Sequence, residues 1–358
     1  MNAPFRPQTT VVGPADLHQP GEVARLEQYV AAHPDGTAFH RPAWIGAVAR
    51  GTGNRALALM AERGGEIVGM LPLVDVRSPL FGRALVSSGF AVGGGILADD
   101  EAICDALIAD AEALAVQLGC PAIELRGGSL SAERPGWRVT SESHCGFLRP
   151  LAADDEAQLT AVPRKQRAEV RKSLANDLTV EIGRGAADRA AHYAVYAESV
   201  RNLGTPVFPR SLFVEVLDAF GDEADILTVR HRGKPVASVL SLYHRGAVMP
   251  YWGGGTRAAR GLRANDRMYF ELMLHARRRG CERFDFGRSK TGSGAYDFKR
   301  NWGFEPEPLS YACWTAPGAQ ARNADPTSDS HSAKIAAWKR LPLPLANLIG
   351  PWISRGLG

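Results

Sequence analysis

Residues 224–255 read ADILTVRHRGKPVASVLSLYHRGAVMPYWGGG, and residues 56–76 read ALALMAERGGEIVGMLPLVDV. In each stretch an apolar run meets a glycine-containing turn, Gly233 in one and Gly64-Gly65 in the other, and a second apolar run follows. That pattern predicts a β-hairpin in each half of the chain, with first strands over 226–229 and 57–60. Downstream, each half carries three glycines (93–95 and 253–255), a helical stretch closing on Gly119 or Gly280, and a last strand opening at Cys120 or Cys281. The glycine runs align at an offset of 160; Gly119, Cys120 and Glu124 align with Gly280, Cys281 and Asp285 at 161. Strands, helix and strand repeated at a near-constant offset predict a tandem mixed α/β (α+β) chain.

The helices have their own signals. Ile103, Leu107, Leu114 and Leu118 fall on one face behind acidic Asp99, Asp100 and Glu101. The second helix is expected to be capped by Asn265 or Asp266, to bury Met268, Leu272 and Met273, and to end with basic 277–279 and Gly280 at C′.

At 358 residues the chain is long enough for two domains. With 45% hydrophobic and 22% charged residues it is globular, which excludes a disordered, collagen-like or disulfide-scaffold chain. Five cysteines form no CxxC pair, and no stretch reads as a signal peptide or a membrane span. The expectation is a cytoplasmic protein.

The net charge of +4 hides a strong polarity. Residues 164–172, RKQRAEVRK, carry five cations and one Glu; residues 257–300 carry twelve cations and five acids. On a helix, Arg164, Lys165, Arg167, Arg171 and Lys172 share one face, with Val170 and Leu174 opposite. Such a stripe is either a solvated face or a seat for an anion: a phosphate, a pyrophosphate or a carrier-bound acyl group. The charges bracket two glycine-rich turns, TRAARGLRAND (256–266) and GRSKTGSGAYDFKRNWGF (287–304). Neither has P-loop or dinucleotide-fingerprint spacing, and GxSxG and HExxH are absent. A reaction with no covalent nucleophile and no metal is the simplest that remains.

At PRKQRAEVRK, ESVRNLGTPVF, YWGGG, AND.MYFEL and FDFGRSKTGSGAYDFKRNWGFEPEPL the sequence resembles the FemAB-like branch of the GNAT acyltransferase superfamily. More narrowly, it resembles the FemAB-type proteins found with exosortase/PEP-CTERM and exopolysaccharide systems. The resemblance runs over nearly the whole chain and is most specific over 284–308. It implies two GNAT-like domains, a structural half at 1–155 and a catalytic half at 156–316, with substrate in the cleft between them. A polar linker at 317–330 and an apolar, basic segment at 331–358 complete the chain.

The family moves an acyl or aminoacyl group from a carrier to an amine of a cell-envelope precursor. That implies acyl-CoA, acyl carrier protein or aminoacyl-tRNA as co-substrate, with tRNA or a carrier protein as a partner, and a phosphate-bearing or lipid-linked sugar as the other substrate. By the same resemblance Lys299 meets substrate phosphate, joined by Arg288 and Lys290, with Arg164, Arg167 and Arg171 on the opposite wall. The acyl-carrier loop falls at Arg257, Arg260 and Gly261, where the GNAT pattern [QR]xxGx[GA] is met only loosely.

Amine acylation needs oxyanion donors and a proton path. Backbone amides at 251–255 are candidates for the first, and Asp285, Tyr251 and Tyr269 for the second, unless the substrate moves its own proton. Three classes remain at this stage: an envelope-directed acyl- or aminoacyltransferase, a small-molecule N-acyltransferase using acyl-CoA, and a non-catalytic scaffold. The segment 331–358, broken by Pro342, Pro344 and Pro351, is expected to pack on the domains or to touch the inner face of a membrane.

Overall fold

The computed structural model describes residues 9–79, 81–128, 130, 134–320 and 332–358. They fall into two compact units: described residues through Thr140, with 310–320 and Arg355–Gly358, and Ser141–Leu309 with the described residues from 332 to Ser354.

The first unit is built on a sheet of Thr10–Pro14 (β1), Arg55–Arg63 (β2), Glu66–Ser78 (β3), Gly82–Ser87 (β4), Leu97–Ala98 (β5), Ala122–Arg126 (β6), Trp137–Thr140 (β7) and Tyr311–Thr315 (β17). Its order is β1-β2-β3-β4-β6-β17-β7, with β5 on β3. Helices Pro20–Ala32 (α1), Pro42–Thr52 (α2) and Glu101–Gln117 (α3) cover it. Asp100 caps α3 by accepting from the Ile103 amide at 2.9 Å.

The second unit contains His144–Gly146 (β8), Leu148–Pro150 (β9), Thr179–Gly183 (β10), Ala224–His231 (β11), Lys234–His244 (β12), Ala247–Gly255 (β13), Arg283–Asp285 (β14), Ser289–Lys290 (β15) and Glu307–Pro308 (β16). The main sheet runs β10-β11-β12-β13-β14-β9, and β15-β8-β16 form a small second sheet. Its helices are Asp155–Ala161 (α4), Arg164–Ala175 (α5), Ala186–Leu203 (α6), Arg210–Phe220 (α7), Ala259–Leu262 (α8), Ala264–Arg278 (α9), Gly294–Asn301 (α10), Ser332–Trp338 (α11) and Leu343–Ser354 (α12).

The repeat is a repeat of topology. In both units three antiparallel pairings are followed by one short parallel pairing, Leu85↔Ile123 and Val86↔Glu124 in the first, Ala247↔Arg283 and Val248↔Phe284 in the second. Both hairpins close on two-residue turns with positive φ at each position, Gly64-Gly65 at 63° and 89° and Arg232-Gly233 at 50° and 76°. That backbone matches the twist of the flanking strands.

Three details differ from the sequence reading. The expected boundary at 155 moves back past two strands and that at 316 past one, because β8 pairs with β15, β9 pairs antiparallel with β14, and β17 pairs antiparallel with β6. These three- and five-residue strands have no hairpin turn of their own to announce their partner. Gly93–Gly95 lie in a loop, whereas Gly253–Gly255 end a strand. The expected linker lies outside the described residues over 321–330. Past it, the prolines do not prevent a helix of twelve residues: Pro344 sits at its second position, where no amide hydrogen bond is lost, and Pro351 lies inside the helix at the cost of one.

In the core of the second unit, α9 buries Met268, Leu272 and Met273 as expected. Its far end is tied to β11 and β12 through Asp225, which is 4% exposed. The Asp225 carboxylate accepts from the Tyr243 hydroxyl at 2.9 Å and from Arg279 Nη1 at 3.1 Å, and lies 2.9 Å from His275 Nε2. Arg279 also stacks over the Tyr243 ring at 3.9 Å. Among the described residues no helix is long and apolar enough to cross a membrane.

Removing a buried carboxylate leaves its donors unpaired, at about 3–5 kcal/mol for a fully buried pair. Arg279 is one-third exposed, so the low end applies: Asp225→Ala is expected to cost about 3 kcal/mol in urea unfolding. A loss below about 0.5 kcal/mol, the range of ordinary surface changes, would show that the network is not what ties α9 to the sheet.

Candidate active site

Strand β13 is held by β12 along its whole length, but by β14 over two residue pairs only. Beyond Val248 the two parallel strands part. Strand β14 is drawn toward β9 by the pairs Arg283↔Pro150 to Asp285↔Leu148, and the Phe286 amide then donates to Phe147 O at 2.7 Å. Three residues later β15 joins β8, with Ser289 opposite Cys145. Among the described residues no strand pairs the β14-side edge of β13 past Val248, so its backbone lines an opening at the carboxyl end of the parallel pair. Open α/β sheets bind ligands at such places.

A β-bulge marks the same point. Leu240 pairs with Trp252 and Ser241 with Pro250, leaving Tyr251 as the extra residue. Bulges re-aim backbone and side chains, and Pro250 removes one ladder donor beside it. The next three residues are glycine because other groups occupy the space of a side chain. A Cβ at Gly253 would lie 2.9 Å from Val239 Cγ2, one at Gly254 2.2 Å from Ser199 Oγ, and one at Gly255 2.4 Å from Asn265 Oδ1.

The last of these contacts sets the first turn of α9 against the end of β13. The helix starts at Ala264, its N-cap being Arg263 in the left-handed region (φ 55°) with no side-chain cap. Asn265 and Asp266 are therefore the second and third helical residues, not the cap. Asn265 Oδ1 is buried without a hydrogen-bond partner. Nothing in the sequence singled it out except the capping signal, which misplaced it by two positions. Arg257 and Arg260 are exposed just before this turn, with exposed Gly261 between them and α9. The Arg257 amide is fixed by Glu198 Oε1 at 2.8 Å.

Helix α5 lies against the same turn. Gln166 Nε2 donates to Asp266 Oδ1 at 2.5 Å, Asn176 Nδ2 donates to Leu262 O at 2.8 Å, and Glu169 pairs with Arg263 and with Lys172. The buried side of α5 is Gln166, Val170 and Ser173. Leu174, expected to face inward, is 39% exposed. Arg164 and Arg171 are exposed, while Arg167 is turned inward and its Nε is buried without a partner. The two basic segments thus meet at the start of α9. Much of the charge downstream is spent on structure, because Arg267 pairs with Glu271, Arg277 with Asp155 and Arg279 with Asp225.

Lys299 is the clearest correction. It is 8% exposed, and its ammonium donates to Gly287 O at 3.1 Å and Arg288 O at 2.8 Å. The rings of Phe147 and Phe286 lie 5.2 and 5.6 Å away. It ties down the turn after β14 from inside and does not present its charge on a surface. Arg288 and Lys290, on and beyond that turn, are half-buried and engaged with neighbours.

Of the proposed proton handlers, Asp285 ends β14 where the strands part. Burial pushes its carboxyl above the ordinary range, against the Gly287 amide at 2.9 Å and the Lys299 charge. Tyr269 packs edge-on against Phe286, with centroids 4.7 Å apart, and burial pushes its hydroxyl up to about 12. It is a donor at neutral pH and cannot serve as a base. Tyr251 is half-buried against Trp252, centroids 4.9 Å apart.

Burial lowers the Lys299 ammonium to about 7. Below that pH folded and unfolded chains both carry the charge. Between about 7 and 10 the unfolded chain holds a proton that the folded chain has lost, so stability contributed by this site rises with pH. Wild type is expected to gain on Lys299→Met as pH rises through that window, read by denaturant midpoints. Parallel curves would show that the lysine titrates normally.

Residues 163–300, from the N-cap of α5 into the last turn of α10, match the family model described as Acetyltransferase (GNAT) domain. No curated protein sequence matches the chain. Among solved structures, FemX is 15% identical with a TM-score of 0.64, over 81% of this chain and 95% of its own. A tandem GNAT protein from the clavulanic acid biosynthesis pathway, solved without AcCoA, is 13% identical at 0.58, over 87% and 100%. The C-terminal domain of a putative lysylphosphatidylglycerol synthetase from Agrobacterium fabrum is 15% identical at 0.56, over 81% and 91%. The parted strands, the bulge and the helix start thus lie within the segment that matches the GNAT domain model, on a chain whose fold is that of tandem GNAT proteins.

Proposed function

We propose that the chain is an N-acyltransferase of FemAB-like type, moving an acyl or aminoacyl group from a carrier to an amine of a cell-envelope or exopolysaccharide precursor. The observation that carries it is the parting of β13 from β14 after two residue pairs, beside the start of α9. The fit to an acyl-CoA is chemical as well as topological. The first turn of α9 and exposed Arg257 and Arg260 suit a pyrophosphate, and the Asn265 carboxamide oxygen there lacks a donor.

In the reaction, the lone pair of a neutral amine attacks the carbonyl carbon of the thioester. The C–N bond forms, the C–S bond breaks, and the thiolate takes up a proton. Backbone amides around the Tyr251 bulge are the donors for the developing oxyanion. Asp285, its carboxyl raised by burial, receives the amine proton, with Tyr251 as the alternative carrier; Tyr269 only donates.

Lys299, by bonding two carbonyls of the 287–288 turn, positions the Asp285 side of the opening. The exposed Arg164 and Arg171 provide the cationic approach for a phosphate-bearing or carrier-bound substrate, including an aminoacyl-tRNA or an acyl carrier protein. The narrower tie to exosortase/PEP-CTERM systems rests on the sequence motifs over 284–308. A second reading, acylation of a small molecule from acyl-CoA, is favoured by the full-length likeness to the clavulanic acid pathway protein.

Thermal unfolding against acetyl-CoA and UDP-linked sugars separates the readings. Saturating acetyl-CoA is expected to raise Tm, and joint Arg257→Ala and Arg260→Ala substitution to weaken it tenfold or more, since a charge-assisted contact contributes about 1.5–3 kcal/mol. An additional shift with UDP-sugar supports the envelope reading, and acetyl-CoA alone the small-molecule one. No shift with any acyl-CoA would remove acyl-CoA as donor.

A further inference from the structure

Helix α12 is inverted. Its small residues Ala346, Gly350 and Ser354, spaced by four, face inward and are buried. Gly350 lies so close to Val207 that a Cβ would sit 3.1 Å from its amide nitrogen, and Ser354 Oγ donates to Val207 O at 2.9 Å. The large apolar residues point the other way: Leu345 is 43% exposed, Leu348 74% and Trp352 53%. Leu203, in the last turn of α6, is 66% exposed. The next residue, Gly204, would meet Ile335 of α11 at 2.5 Å if it had a Cβ. An ordinary surface helix puts such residues inside.

The segment that carries this face has charge of one sign. Residues 331–358 contain Lys334, Lys339, Arg340 and Arg355 and no carboxylate. Lys339 and Arg340 are exposed in the turn between α11 and α12, and Arg201 reaches the Lys339 carbonyl at 3.2 Å. Leucines and a tryptophan on the outside of a short helix, beside cations with no acid among them, match an anionic lipid surface: apolar side chains enter the headgroup boundary while cations stay at the phosphates.

We infer that α12 is an interfacial helix by which the protein seats on an anionic bilayer, with Leu345, Leu348 and Trp352 inserted and Lys339 and Arg340 at the headgroups. The contact does not depend on the acyltransferase reading, since neither catalysis nor a bound acyl donor enters it.

The test is co-sedimentation of the full chain with vesicles of phosphatidylcholine, with and without about one-third phosphatidylserine. Binding is expected on the anionic vesicles, falling as salt screens it. Joint Leu348→Asp and Trp352→Asp substitution is expected to lower it at least tenfold with Tm unchanged, the positions being exposed. Joint Lys339→Glu and Arg340→Glu is expected to reduce binding to anionic vesicles only. The inference is overturned by absence of binding to anionic vesicles, or by equal binding of the Leu348/Trp352 variant. It is also overturned if sedimentation velocity shows a wild-type dimer that the same pair of substitutions dissolves, because the face then belongs to a second copy.

Discussion

The second unit is organised by an early parting of two parallel strands. Parallel pairing between β13 and β14 lasts two residue pairs, after which β13 stays with β12 and β14 goes to β9. Backbone groups that leave a ladder need other partners, so strands that part this early need a reason to do so. The reason is local: Pro250 and the extra residue Tyr251 break the ladder on one side, and the Phe286 amide is claimed by Phe147 on the other.

Everything nearby secures that gap without filling it. Three successive glycines let α6, β12 and α9 come within contact of the strand end, each against a different neighbour. Lys299 binds two carbonyls of the opposite turn from within, which explains why a cation is retained among Phe147 and Phe286 at the expense of its own basicity. Asp285 shares that environment, and the pair pull in opposite directions: burial raises the acid and lowers the base. The attraction between the two charges works against both shifts, lowering the acid and raising the base.

The sequence carried the topology well because topology was written in turns. Gly64-Gly65 and Arg232-Gly233 have the positive φ that their hairpins require, and Gly280 ends α9 as its position implied. What it did not carry were contacts between distant segments. The strands β9 and β17 are too short for periodicity, and each joins a sheet far from it in the chain. Helix α9 starts on Arg263, a residue with no capping side chain, because α8 feeds directly into it. Lys299 and Arg164 look alike as letters beside glycines and aromatics, yet one is buried and the other exposed. That difference depends on Phe147, which approaches from more than 150 residues upstream.

The charge reading shows the same limit in reverse. The clustering of cations between 257 and 300 was real, but carboxylates elsewhere in the unit, Asp155, Asp225 and Glu169, take up several of them. What survives as a field is narrower: Arg257 and Arg260 before α9, with Arg164 and Arg171 on the helix alongside. A local charge run measures how many cations a segment holds, whereas recognition depends on those left after folding has paired the rest. Exposed Arg257 and Arg260 stand just before α9 and exposed Arg164 and Arg171 on the helix packed against its first turn, so folding brings cations of both basic segments close to one another at the surface.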